Sequence, residues 1–137
     1  MCFFLLAAGY FITSSNSTHN KLVSKNWQVV TLTQIPNPFD RMPTMLSEDE
    51  LALAKLTFEK KVKSSFINFL KQGNYESRLF NEYSSYGIWT INKDASELTL
   101  EYNGTKEIIF IKELTESKMV LHRKRVGEET TMVLIPT

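Results

Sequence analysis

The second half of the chain alternates apolar and polar residues in short segments that are separated by turn residues. Leu98, Leu100 and Tyr102 alternate with Thr99 and Glu101, which is the period of a strand with one buried face. Further strands are predicted at 26–35, 62–70, 75–80, 86–92, 106–114, 118–126 and 130–135. The pattern therefore predicts a series of about eight strands that follow one another in the chain.

The connections between these segments have the chemistry of tight turns. Gly73, within Lys71–Asn74, can adopt the positive φ that a bulged hairpin needs. Asn103-Gly104 is a strong signal for a two-residue hairpin. Closure of the strands would remove the free edges that invite aggregation. We predict an all-β fold, an antiparallel up-and-down barrel of about eight strands that side chains or one small ligand can fill. An open sheet covered by a helix is the alternative.

One helix is predicted between the first and second strands. Pro36, Pro38 and Pro43 exclude regular structure after the first strand. Ser47–Glu50 then matches a capping box, so a helix should begin there and either close a barrel end or cover a sheet face. Helix capping explains the three acidic residues of this motif better than a metal site or an acid–base site does.

The N-terminal segment has a different character from the remainder. Cys2–Ile12 is a run of apolar and small residues, too short to cross a bilayer as a helix, and Ser14–Thr18 are small and polar. We interpret 1–20 as an export signal, with a short membrane anchor or a packed helix as alternatives, and 21–137 as the barrel domain. The expected location is the periplasm, the cell envelope or the medium. Membrane contact is expected only through an uncleaved N-terminal segment.

Composition and charge narrow the range of partners. The 137 residues, 42% of them hydrophobic, suit one domain with a substantial core, and we expect a monomer. A net charge of +1 gives no reason to expect nucleic acid as a partner. The basic run His122–Arg125 would divide between the two faces of a strand, and we interpret it as solvated or edge-protecting.

The sequence contains no catalytic motif that we recognise. His19 and His122 lack a second histidine or a cysteine at metal-ligand spacing, so no metal is predicted. Cys2 lies in the N-terminal apolar run, and neither a Gly-x-Ser-x-Gly elbow nor a phosphate-binding glycine loop occurs. We expect a protein that is not an enzyme and has no cofactor.

Several short segments carry a resemblance to a known family. They are Lys21-Leu-Val with Trp27, Phe69-x-x-x-Gly73-x-Tyr75, Gly87-x-Trp89-x-Ile91, and Ile111–Leu114 leading to Met119–Leu121. Together they resemble the lipocalin-like domains of small exported bacterial proteins of the Bacteroidetes type. The resemblance spans about Lys21 to Pro136 and implies an up-and-down barrel, in a family most of whose members have no assigned activity. The chain departs from the lipocalin Gly-x-Trp element, because Lys25 stands where the glycine would be.

The aromatic residues of the predicted barrel have two interpretations, a filled core or the lining of a ligand pocket. Tyr83 and Tyr86 flank two serines near a predicted barrel end and are our candidates for ligand contact. The favoured function is the binding of a small hydrophobic or amphipathic ligand in the barrel interior. The alternative is a non-enzymatic interaction or structural module of the envelope with a filled core. A void of a few hundred Å³ or more would favour the first.

Overall fold

The computed structural model describes residues 21–23, 25–41, 46–79 and 84–137. Within these ranges the fold consists of eight strands, one α-helix and a helical segment at 21–23. In chain order the elements are β1 (Asn26–Ile35), a 3-10 turn (Pro38–Arg41), α1 (Glu48–Lys63), β2 (Phe66–Phe69), β3 (Asn74–Arg78), β4 (Ser85–Ile91), β5 (Glu97–Tyr102), β6 (Thr105–Leu114), β7 (Met119–Arg125) and β8 (Glu128–Pro136). The export prediction concerns 1–20, which lie outside the described residues.

The strands form a closed antiparallel barrel in chain order, and β8 pairs with β1 to complete it. This confirms the predicted fold class and excludes the open sheet. The predicted turns are also confirmed, since φ is +92° at Gly73, +49° at Asn103 and +75° at Gly104. These are left-handed conformations that glycine and asparagine adopt more readily than other residues.

The helix begins where the capping box predicts. The hydroxyl oxygen of Ser47 accepts a hydrogen bond of 3.2 Å from the backbone amide of Glu50. Its end was predicted wrongly, because α1 continues through Val62 to Lys63 and β2 begins only at Phe66. Val62 lies one helical turn beyond Phe58, so it extends the inward face of α1 and is buried.

Two β-bulges decide which residues face the interior. One lies between Val29 and Thr31 in β1, the other between Ile111 and Glu113 in β6. An extra residue reverses the side-chain alternation beyond the bulge. Leu32 is therefore the register partner of the buried Met132, whereas unbroken alternation would have turned it outward.

The end of the barrel that holds the start of β1 is filled with apolar side chains. Leu22, in a helical segment at 21–23, is fully buried there, and its carbonyl oxygen accepts a hydrogen bond of 3.1 Å from the indole of Trp27. The rings of Phe69 and Trp89 pack edge to face at 5.3 Å. For Trp27, Phe69, Tyr75 and Trp89, burial confirms the core-packing interpretation.

Candidate functional site

A cleft lies where α1 takes the place of a strand beside β1. Within the described residues, β2 pairs with β1 only at Asn26–Gln28, so the second half of β1 has α1 rather than β2 next to it. The end of the helix is tied to β1 by hydrogen bonds. The amide of Gln28 donates to the carbonyl of Lys63, and the backbone amide of Val29 donates to the carbonyl of Ser65.

The cleft has a volume of about 500 Å³. One wall is a face of α1, formed by Glu50, Leu53, Ala54, Thr57, Phe58 and Lys61. The opposite wall is formed by Pro38 and Phe39 of the 3-10 turn and by Gln34 of β1. We call this space the α1 cleft. Its size is within the range of small-molecule sites.

Two smaller spaces, of about 420 and 370 Å³, lie beside β1 and share lining residues with the α1 cleft. Leu32 lines both of them, and Phe58 lines all three spaces. The rings of Phe58 and Phe39 meet edge to face at 5.4 Å, which ties the helix to the 3-10 turn. Phe58 therefore lies where the three spaces adjoin, and its contact with Phe39 joins the two walls of the α1 cleft.

The charges of the α1 cleft stand at its two ends. Glu50 belongs to the first turn of α1 and Lys61 to the last. The lining residues between them on α1 are apolar, apart from the hydroxyl of Thr57. Phe39, on the opposite wall, is also apolar. The side chain of Lys61 is half-buried. A linear molecule in this cleft would thus meet an acid at one end and a base at the other.

An ion cluster lies on the inner face of the barrel, near the other strand ends. Arg123 donates from Nε and Nη2 to the two carboxylate oxygens of Glu107, and Arg125 donates to one of them over 3.4 Å. Arg123 is 7% exposed and the side chain of Glu107 16%. Gln34 pairs in register with Thr130, and Thr130 with Arg123, so the cluster lies about 10 Å from the strand position that lines the α1 cleft.

The cluster shifts the pKa of neighbouring groups. Burial alone would raise the pKa of Glu107, but hydrogen bonds and attraction from Arg123 and Arg125 outweigh it and lower the pKa of that carboxyl. Burial, then repulsion from Tyr102 and Glu107, raises the pKa of Tyr75 to about 12. Glu107 is consequently ionised and Tyr75 protonated at neutral pH.

The phenol of Tyr75 should make stability fall in strong alkali. Its pKa is raised from 10.0 to about 12, so the unfolded chain releases this proton at lower pH than the folded one. We expect the free energy of unfolding of the wild type, measured with urea, to fall between these two pH values more steeply than that of Tyr75→Phe. Tyr86→Phe, altered at an exposed tyrosine, should follow the wild type. Parallel curves for wild type and Tyr75→Phe would contradict the assignment.

Neither of the two tyrosines predicted for ligand contact is found among the described residues of the α1 cleft. Tyr83 lies outside the described residues. Tyr86 lies on the outer face of β4, is 68% exposed, and donates a hydrogen bond of 3.3 Å to the carboxylate of Glu76. The α1 cleft does not include Tyr86 among its described lining residues. Ligand contact by these tyrosines stays a prediction.

The sequence interpretation missed Lys61 and the Glu107–Arg123 pair. It treated His122–Arg125 as solvated or edge-protecting, with its charges divided between two faces of a strand. Alternation does turn His122 outward, where its imidazole lies 3.0 Å from the hydroxyl of Thr131. Arg123, however, is buried. The available signal was the period of β7, because Arg123 falls on the same face as the buried Met119 and Leu121.

Neither a metal site nor a membrane helix is found in the described part of the chain. Among these residues, no three side chains of His, Cys, Asp or Glu come together in a group that could hold a metal ion. No helix of the described ranges has the length and apolar character needed to cross a membrane. The predictions concerning metals and the N-terminal segment stay predictions.

These features define the class of the domain, a closed eight-stranded antiparallel barrel with a single helix between β1 and β2 and a cleft beneath that helix. Comparison with solved structures finds a similar fold in a DUF4847 family protein from Bacteroides vulgatus, with a TM-score of 0.57 and 13% identity. The likeness covers 83% of this chain and 93% of that one. At 13% identity the similarity shows only that the two proteins share a barrel fold.

Comparison by sequence adds no family assignment. No protein-family description matches the chain, and no curated protein matches it.

Proposed function

We propose that this domain binds a small apolar or amphipathic molecule in the α1 cleft at the side of the barrel. The observation that carries the proposal is a space of about 500 Å³ with leucine, alanine, phenylalanine and proline in its walls. Burial of apolar ligand surface against such walls stabilises a complex by roughly 25 cal/mol per Å². Polar groups at the ends of the cleft would orient the ligand.

The place of binding differs from the centre of the barrel that the sequence suggested. At the end of the barrel that holds the start of β1, the core contains the fully buried side chains of Trp27, Phe69, Leu98 and Leu134. Protein cores of this kind are as dense as organic crystals and leave little room for a guest. The ligand in our proposal therefore lies between α1 and the wall of the barrel.

The proposal is for a carrier or sensor and not for an enzyme. In the described part of the chain, the groups with displaced pKa values are Glu107, Tyr75 and Asp94, and their shifts move titration away from neutral pH. A general acid or base works best when its pKa lies near the working pH.

We also propose that the barrel is lipocalin-like and that the protein is exported. The apolar run Cys2–Ile12 supports the export proposal.

Filling the α1 cleft with a larger side chain should weaken ligand binding. Ala54 is half-buried in the wall of the α1 cleft, whereas Ala52 is exposed on the same helix and is not among the lining residues. We expect Ala54→Phe to weaken binding of the neutral dye Nile red by about tenfold or more, because the new ring occupies the space of the guest. Fluorescence titration of purified protein measures this effect, and Ala52→Phe is the matched control.

The alternative function, an interaction module with a solid core, predicts a different result. It is favoured by the apolar side chains that fill the end of the barrel at the start of β1. In that case native mass spectrometry of protein purified from its own host would show no retained small molecule, and Nile red would not bind. Equal dye binding by wild type and Ala54→Phe would exclude the α1 cleft as the site.

A further inference from the structure

The α1 cleft is electrically asymmetric. Lys61 stands at the end formed by the last turn of α1, and Lys60 and Lys63 belong to the same turn. Glu50 stands at the other end, with Glu48 and Asp49 in the same first turn. An acidic group on a guest is therefore attracted to one end of the cleft and repelled from the other.

The ammonium of Lys61 is suited to meet a guest. Lys61 forms part of the wall together with Thr57 and Phe58, and its side chain is half-buried. Among residues 21–23, 25–41, 46–79 and 84–137, no carboxylate lies within ion-pair distance of it. A lysine can place its methylenes along an apolar surface while its three donors remain available.

The shape of the cleft restricts the guest further. The lining positions on α1 run from Glu50 to Lys61, which is about 16 Å along the helix axis. Leu53, Ala54 and Phe58 line the space between these ends. The cleft is thus long, apolar in its middle and basic at one end.

We infer that the ligand is a single-chain amphipath with an acidic head group, a carboxylate or a phosphate monoester, whose head binds Lys61 and whose chain lies along α1 towards Glu50. This inference rests on the proposed function, since it assigns the ligand class of the same cleft. Contact with the charged head adds a charge-assisted hydrogen bond to the burial of the chain. The acid group distinguishes the true ligand from a neutral molecule of equal length.

Three probes of one chain length, dodecanoate, dodecyl phosphate and dodecanol, test the inference by calorimetric titration. The two acids are used below their micelle concentrations and the alcohol below its solubility limit. We expect the wild type to bind one or both acids about tenfold more tightly than the alcohol. The acid that binds more tightly identifies the head group. Lys61→Met should remove this preference while binding of dodecanol stays unchanged, because methionine keeps the apolar stem. Lys61→Arg should restore the preference.

Lys60→Met is the matched control, since Lys60 is exposed and adjacent but does not line the α1 cleft. It should retain the preference for acids, apart from a small effect that salt screens. Equal affinity for acid and alcohol, or a preference that survives in Lys61→Met, would overturn the inference while the proposed function stands. Failure of all three probes to bind would overturn both.

Discussion

Replacing Arg123 by methionine should destabilise the protein by about 3 kcal/mol at neutral pH. The guanidinium of Arg123 contacts both carboxylate oxygens of Glu107 on the inner face of the barrel. Methionine fills a similar volume but leaves the carboxylate with weaker compensation for its burial. Arg125 still donates a hydrogen bond of 3.4 Å to Glu107. The expected loss of unfolding free energy is therefore at the lower end of the range for breaking a buried ion pair. Urea unfolding measures it.

The pH dependence of this loss identifies its cause. Because the folded-state pKa of Glu107 is lowered, its contribution to stability is present above the ordinary glutamate pKa and is lost as pH falls through the folded value. The difference between wild type and Arg123→Met should therefore shrink in acid. A difference that is constant over this range would mean that lost packing, and not the buried carboxylate, causes the destabilisation.

Two further variants separate the contributions of the cluster. Arg125 is 42% exposed, so Arg125→Met should cost less than about 1 kcal/mol. The double variant Arg123→Met with Glu107→Leu should recover part of the loss, because no charge then remains buried without its main partner. A double variant as unstable as the sum of the single changes would show that the pair is not coupled.

Adding a single methyl group at Gly87 should cost about 3 kcal/mol or prevent folding. A β-carbon at this position would lie 2.1 Å from the carbonyl oxygen of Glu101 and 2.8 Å from Cε1 of Tyr75. The oxygen belongs to the backbone of β5, which pairs with β4 along this stretch. Relief would require the strands to separate or the Tyr75 ring to leave the core. Gly87→Ala should therefore lower the thermal midpoint strongly or accumulate as insoluble protein.

Gly127→Ala is the control that separates the cost of a steric clash from the cost of an unfavourable backbone conformation. Gly127 has φ of +73°, and a β-carbon there meets nothing within 4 Å. The cost of Gly127→Ala should be about 1 kcal/mol, since only the left-handed conformation opposes the new side chain. If Gly87→Ala were no more destabilising than Gly127→Ala, the close approach at Gly87 would be refuted.

Local sequence features predicted a large part of the fold. The alternation in β5 and the turn at Asn103-Gly104 are determined by neighbours in the chain, and both are confirmed. The start of α1 at Ser47 likewise depends on the side chain of one residue and the amide of another three residues later. Such signals act over a few residues, so they are readable without tertiary contacts.

The candidate site was predicted much less well. The α1 cleft exists because β2 is short and α1 lies beside the second half of β1. Nothing in the local pattern distinguished a strand beginning at Val62 from a helix continuing to Lys63, since Val62 suits the apolar face of either element. Nothing in the local pattern singled out Lys61 either, although it forms part of the cleft wall.

By itself the sequence determined the number and type of the elements and their order, because periodicity and turn chemistry are local properties. Only the tertiary structure decided the closure between β1 and β8, the bulge that turns Leu32 inward, and the meeting of Glu107 with Arg123. These depend on contacts between residues distant in the chain, where register and burial are set by the packing of the whole barrel. The α1 cleft, and with it the proposed ligand, belongs to this second group.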